Sequence, residues 1–104
     1  MQLEYTQEAQ QDILGIASYH EKMVGIDSAE RAVNHLLDHI EKLAEFPRMG
    51  EEHPDERLRG AGFRKLVHDR LIVVYRIDYT ASSVIIERVV WASTDYPELL
   101  MQKA

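Results

Sequence analysis

The chain has 104 residues, 45% of them hydrophobic, which is enough for one buried core and too little for two domains, so we expect one domain over residues 1–104. It has no cysteine, which excludes disulfides, thiolate metal sites and a cysteine nucleophile. With a net charge of −6, no signal-like N-terminus and no apolar run of about 20 residues, it is predicted to be cytoplasmic and without membrane contact.

Charge is unevenly distributed along the chain. Residues 1–56 contain 4 Lys or Arg and 13 Asp or Glu, a net charge of −9, whereas residues 57–104 contain 8 and 5, a net charge of +3. A basic surface on an acidic protein is an electrostatic footprint for a partner. We therefore expect the second half of the chain to carry the binding function.

The first segments are predicted to be a strand and a helix. Met1–Tyr5 alternates apolar and polar residues, as a short strand does, and Thr6 can cap the helix that follows. From Gln7 to Val24 the apolar residues recur every three or four positions, which is the period of an amphipathic helix. Gly25 is expected to end this helix.

A second amphipathic helix is predicted to follow almost immediately. Asp27 and Glu30 have the spacing of a capping box, and the apolar stripe behind them continues to Ala44. Because the linker is so short, the two helices should form an antiparallel hairpin.

The remainder is predicted to be a long connection and a sheet. Residues 46–62 contain two prolines and three glycines without periodicity, which indicates an irregular connection. β-rich runs predict strands at Phe63–His68, Leu71–Tyr79 and Val84–Trp91, and Pro97 can open a short C-terminal helix. The order β-α-α-β-β-β predicts an α+β fold in which the hairpin covers one face of a small antiparallel sheet, while the other face stays open or binds a partner.

Five segments taken together resemble the RelE/ParE superfamily of toxins from type II toxin–antitoxin modules, also described as plasmid-stabilisation proteins. They are YTQEAQQDI, IEKLAEFPRMG, GFRKLV, VVYRID and IIERVVWASTDYPELL, and they span nearly the whole chain. The resemblance implies a RelE-like fold, a toxin that arrests growth, and a cognate antitoxin that binds it. It also implies that the toxin contacts DNA only indirectly, through the antitoxin. Leu14, Tyr19 and Leu99 are then expected to be exposed when the antitoxin is absent.

The resemblance leaves two toxic activities open. RelE-like members cut mRNA on the ribosome, and ParE-like members poison DNA gyrase. Many RelE-like members have an arginine at the position of Ile72, where it holds the scissile phosphate, and a His-x-Arg-x-Asp pattern where this chain has Trp91, Ser93 and Asp95. These differences favour gyrase as the target; the alternatives are a ribosome-dependent nuclease and a decayed toxin that only binds.

A nuclease needs a base, an acid and cations within hydrogen-bond reach of the phosphate. The candidate set is His68 as base, Tyr96 as a weak acid, and Arg64, Arg70 and Arg76 as phosphate ligands. The other interpretation is that His68 is a polar strand-end residue and the arginines are solvated. If the chain is an enzyme, we expect a metal-independent endoribonuclease that uses this set of residues.

The binding surface is predicted from the basic half of the chain. Arg76 interrupts an apolar strand, so it needs either a carboxylate, such as Glu87 or Asp95, or an external ligand. Trp91 can stack on a base, anchor a protein interface or be buried under the C-terminal helix. The candidate binding residues are Arg64, Lys65, Arg70, Arg76, Arg88, Trp91 and Asp95.

No metal or cofactor is predicted. His35 and His39 lie one helical turn apart, a spacing that can chelate Zn²⁺, but they stand among polar residues and lack a defined third ligand. A solvated helix face explains this pair better.

Overall fold

The structure, a computed structural model, describes residues 1–101. Both long helices and the three long strands lie where their periodicity predicts them. No helix in this part of the chain is long and apolar enough to cross a membrane. In chain order the elements are β1 (Gln2–Tyr5), α1 (Gln7–Val24), α2 (Ile26–Glu41), a short 3₁₀ helix (Lys42–Ala44), β2 (Glu51–Glu52), α3 (Glu56–Gly60), β3 (Arg64–His68), β4 (Leu71–Asp78), β5 (Ser83–Trp91) and α4 (Pro97–Met101).

The helical hairpin begins and turns for local reasons. The Thr6 hydroxyl caps α1 as predicted, accepting a hydrogen bond from the Ala9 amide at 3.0 Å. Gly25 ends α1 with a φ of 101°, a conformation that favours glycine, and its carbonyl accepts the first hydrogen bond of α2. The predicted capping box at Asp27 is therefore wrong, because α2 already begins at Ile26 and has no side-chain cap.

The sheet has five strands in the order β1-β5-β4-β3-β2. β3, β4 and β5 form an antiparallel meander as predicted, and β2 adds a short antiparallel edge on β3. The sheet is antiparallel as predicted except for one pair, because β1 runs parallel to β5. The helical hairpin carries the chain across one face of the sheet, so the first and last strands can run in the same direction.

Two apolar cores lie on the two faces of the sheet. Alternation along β4 divides its side chains as predicted: Leu71, Val73 and Tyr75 face the helical hairpin, and Ile72 and Val74 face the other side. That other face is not open, because α3 and α4 cover it. The cluster on this side, the rear core, consists of Leu58, Phe63, Ile72, Val74, Val90, Tyr96 and Leu100.

Residues 46–62 are more ordered than the predicted irregular connection. They contain β2, which pairs with β3, and α3, whose N-cap Asp55 accepts hydrogen bonds from the amides of Arg57 and Leu58. α3 buries Leu58 completely in the rear core. A five-residue helix with one buried side chain has no detectable period, which is why the sequence pattern does not reveal it.

Candidate functional site

The predicted base, His68, is buried beneath α2. His68 is 6% exposed, and its Nδ1 lies 2.8 Å from the Nδ1 of His39. Burial lowers the pKa of His68, which favours the neutral ring. His35 also contacts this ring edge-on, at 4.8 Å between centroids. The prediction of a solvated face is therefore wrong for His39, since this side chain packs against the sheet.

The predicted acid, Tyr96, lies in the rear core. Its hydroxyl is 2.6 Å from His53 Nε2, and burial raises the pKa of Tyr96, with Asp55 adding to the effect. His53 Nδ1 accepts a hydrogen bond from the Asp55 amide, so the neutral ring carries its proton on Nε2. From there it donates a hydrogen bond to the Tyr96 hydroxyl oxygen. The phenol is thus a buried acceptor in this structure.

Arg64 and Arg76 are both engaged within the chain. Arg64 donates from Nε and Nη2 to the Gly50 carbonyl, at 3.2 and 2.8 Å. Arg76 donates from Nε to Glu87 Oε2 at 2.8 Å, and its Nη2 lies 2.6 Å from the same oxygen. Its guanidinium also lies 5.3 Å from the centroid of the Phe63 ring. Of the two internal partners predicted for Arg76, Glu87 is the one observed.

The structure does not bring the four candidate catalytic residues together. Within residues 1–101, no hydrogen bond or ion pair joins any two of His68, Arg64, Arg76 and Tyr96. His68 contacts α2 on the hairpin side, whereas Tyr96 belongs to the rear core. A base and an acid on opposite faces of a sheet do not reach one phosphodiester in this conformation.

Two further candidate binding residues are held in ion pairs. Lys65 Nζ lies 3.5 Å from Glu51, and Arg88 donates from Nε and Nη2 to the two carboxylate oxygens of Asp12, at 2.7 and 2.9 Å. The hydrogen bond to Asp12 raises the pKa of Arg88. These pairs join β2 to β3 and α1 to β5, so both basic residues have a structural role.

Of the last three candidates, Arg70 and Trp91 lie at the end of the sheet where β3 turns into β4. Arg70 and Asp95 are exposed. Trp91 is partly buried, but it packs edge-on against Tyr19 of α1, with ring centroids 5.6 Å apart, and not under the C-terminal helix. Arg70, Trp91 and Tyr19 line one groove together with Ser93.

A second concave surface, the arginine groove, lies at the opposite end of β3 and encloses about 480 Å³. Arg48 Nε donates to Tyr79 Oη at 3.1 Å, and the Arg48 guanidinium lies 5.8 Å from the centroid of that ring. Arg64 was predicted as a binding residue from the sequence, but Arg48 and Arg59 were not. Both lie in residues 46–62, where an irregular connection gives no indication of which side chains meet. The groove is lined by Arg48, Glu52, Arg59, Gly62, Phe63, Arg64, Ile77 and Tyr79.

The buried His53 predicts that stability depends on pH. Burial lowers the pKa of His53 below its ordinary value of 6.5; Lys65 adds to the effect, and Asp55 and Glu51 oppose it. As the pH falls through 6.5, the unfolded chain takes up a proton that the folded chain does not. This contribution to the free energy of unfolding is therefore fully present above that pH and is lost progressively below it.

Urea unfolding at several pH values from about 7.5 to about 5 measures this loss. His53→Gln keeps an amide that can accept from the Asp55 amide and donate to Tyr96, so we expect a folded variant with a shallower pH dependence. His68, whose pKa is also lowered by burial, should supply the remaining slope. A slope identical to that of the wild type would contradict the assignment to His53.

Known proteins resemble this chain in both sequence and fold. Residues 3–96 match the family model described as the ParE toxin of the type II toxin-antitoxin system parDE. The chain is 38% identical to Toxin ParE1 of Caulobacter vibrioides over 69 residues, which cover 66% of this chain and 69% of that protein.

Two solved structures show the same fold. One belongs to the chromosomal ParDE toxin–antitoxin system from P. aeruginosa, with a TM-score of 0.74, 22% identity, and coverage of 88% of this chain and 95% of that one. The other belongs to the toxin–antitoxin complex RelBE2 from Mycobacterium tuberculosis, with a TM-score of 0.64, 22% identity, and coverage of 86% and 95%. At this identity the two structures bear on the fold alone, and they confirm the predicted RelE-like fold.

Proposed function

Because the chain belongs to the ParE family of toxins from type II toxin–antitoxin systems, we propose that it arrests growth by binding and inhibiting DNA gyrase, and that a cognate antitoxin neutralises it. Inhibition by binding requires an accessible surface but no acid–base pair. The separation of His68 from Tyr96 agrees with such a mechanism.

The observation that carries the proposal is the burial of Ile72. In many RelE-like members an arginine at this position holds the scissile phosphate. Here Ile72 is 8% exposed and belongs to the rear core, together with Leu58 and Tyr96. A side chain packed in this core is neither charged nor accessible to RNA, which supports a ParE-like activity over a nuclease.

We assign the gyrase contact to the arginine groove. Arginine and aromatic side chains are the types most enriched at the centres of protein interfaces, and this groove combines three arginines with Phe63 and Tyr79. Arg76 adjoins it through the Phe63 ring. A cationic concave surface on an otherwise acidic protein suits an acidic surface of a protein partner.

We assign neutralisation to exposed apolar side chains that a bound antitoxin would cover. Leu14, Tyr19 and Leu99 are 67%, 55% and 44% exposed, as predicted, and Met23 and Phe46 are exposed as well. An antitoxin helix or strand laid over such residues removes them from water and blocks access to the toxin.

A supercoiling assay with purified protein tests the gyrase proposal. The wild type should inhibit gyrase, and Arg48→Glu should weaken inhibition at least about tenfold, because it places like charges across the contact. Arg70→Glu is the matched control: it makes the same charge change at an exposed arginine at the other end of β3, and it should inhibit like the wild type. Circular dichroism verifies that both variants are folded.

The proposal is wrong if the wild type neither inhibits supercoiling nor induces DNA cleavage at concentrations that arrest cells. The same preparation should leave mRNA on translating ribosomes intact. Ribosome-dependent cuts that disappear in His68→Ala or Arg64→Ala would establish the nuclease activity instead.

A further inference from the structure

Three histidines and an aspartate meet where α2 packs against the turn between β3 and β4. The potential ligand atoms of His35, His68 and Asp69 all lie within 4.8 Å of one another. These three residues line a cavity of about 220 Å³ between the helical hairpin and the sheet. The gyrase contact proposed above uses none of them.

His39 fixes the orientation of the His68 ring. Their Nδ1 atoms are 2.8 Å apart, so one nitrogen donates a hydrogen bond and the other accepts it. When His68 donates from Nδ1, its neutral ring presents the Nε2 lone pair on the side of Asp69, whose Oδ2 is 3.7 Å away. Metal-binding histidines are held in this way, with one nitrogen on the metal and the other hydrogen-bonded to a neighbour.

We propose that His35, His68 and Asp69 bind Zn²⁺, with His39 as the positioning residue for His68. Two imidazoles and a carboxylate are typical zinc ligands, and three protein ligands leave a fourth position for water or for a group from a partner. Mg²⁺ and Ca²⁺ prefer oxygen ligands, so a site with two nitrogens excludes them. Since the chain has no cysteine, no thiolate site competes for the metal.

The site can close around zinc by rotation of its exposed side chains. Ligand atoms in a tetrahedral zinc site are about 3.3 Å apart. Here they lie within 4.8 Å of one another, with 3.7 Å between His68 Nε2 and Asp69 Oδ2. His68 is fixed by burial, whereas His35 is exposed and the Asp69 side chain is 77% exposed, so these two can move. Arg70 lines the same cavity, but it is exposed and its charge remains hydrated.

Titration of the tag-free protein with Zn²⁺, in competition with a chromophoric chelator, should show about one ion per chain. His39→Leu should weaken binding about 10–100-fold, and His39→Gln, whose amide oxygen can still accept from His68, should recover part of that loss. His35→Gln and Asp69→Asn should weaken it further. Both should fold, because both sites are exposed and asparagine tolerates the φ of 52° at Asp69.

His20→Gln is the matched control. His20 lines the same cavity but is 3.4 Å from the Ser28 hydroxyl and outside the ligand group, so this variant should bind zinc like the wild type. Zinc should raise the Tm of the wild type and of His20→Gln but not that of His35→Gln. Absence of stoichiometric binding, or binding unchanged by both His35→Gln and Asp69→Asn, would overturn the proposal.

Discussion

Replacement of Gly50 by alanine is expected to destabilise the protein by about 3 kcal/mol or more. A Cβ at this position would lie 2.5 Å from the Lys65 carbonyl oxygen and 2.7 Å from Tyr75 Oη. Neither atom can easily retreat, because the carbonyl belongs to β3 and Tyr75 is completely buried. Tyr75 Oη also accepts from the Gly50 amide at 3.0 Å and donates to the Pro47 carbonyl at 2.8 Å. The added methyl group therefore breaks the attachment of residues 47–50 to the sheet.

Gly15→Ala is the matched control for this change. A Cβ at Gly15 meets nothing within 4 Å, and the residue lies within α1, so alanine should stabilise the protein by up to about 1 kcal/mol. Thermal unfolding should show a loss of about 12 °C or more for Gly50→Ala. If Gly50→Ala is as stable as the wild type, residues 47–50 do not pack this closely against Lys65 and Tyr75.

The ion pair of Arg76 with Glu87 is expected to be asymmetric. The Glu87 side chain is 9% exposed, whereas the Arg76 side chain is 44% exposed. Arg76→Ala leaves a buried carboxylate without its main partner, so we expect a loss of about 2–3 kcal/mol. Glu87→Gln keeps an oxygen that accepts a hydrogen bond from Arg76. Any Arg76 donor that loses its partner can be hydrated, so we expect the free energy of unfolding to fall by about 1 kcal/mol or less.

Urea unfolding of both single variants and of the double variant measures this asymmetry. The double variant Arg76→Ala with Glu87→Gln should be more stable than Arg76→Ala alone, because it no longer contains the unpaired buried carboxylate. Equal losses of unfolding free energy in the two single variants, or a larger loss in Glu87→Gln, would show that the ion pair is not asymmetric in this way. Glu87→Gln also keeps the cation beside the arginine groove, so it should still inhibit gyrase.

The periodic parts of the fold could be predicted from the sequence. The apolar stripes of α1 and α2 and the alternation along β4 show which face of each element is buried. These patterns depend only on residues that are close together in the sequence. The parallel pairing of β1 with β5 could not be predicted, because it places Gln2 beside Ser83 and a four-residue strand carries no signal of its direction. α3 has one local signal, Asp55 three residues before the apolar Leu58, which is too weak to identify a helix alone.

The candidate site was harder to predict than the fold because its contacts join distant parts of the chain. His53 is 43 residues from its partner Tyr96, and Asp12 is 76 residues from Arg88. Charge patterning identified Arg88 as a basic residue of the second half, but it does not show that an acidic residue of α1 already binds it. Likewise, the spacing of histidines on α2 cannot reveal that a third one arrives from β3.

The claim that this toxin stops replication through gyrase is tested most directly in cells. The chain is induced without an antitoxin, and the incorporation of labelled thymidine and labelled methionine is followed alongside growth. We expect growth arrest in which DNA synthesis falls before protein synthesis, with growth restored by co-expression of the antitoxin. Protein synthesis stopping first, which would indicate a ribosomal target, or unchanged growth, which would indicate a decayed toxin, would contradict this claim.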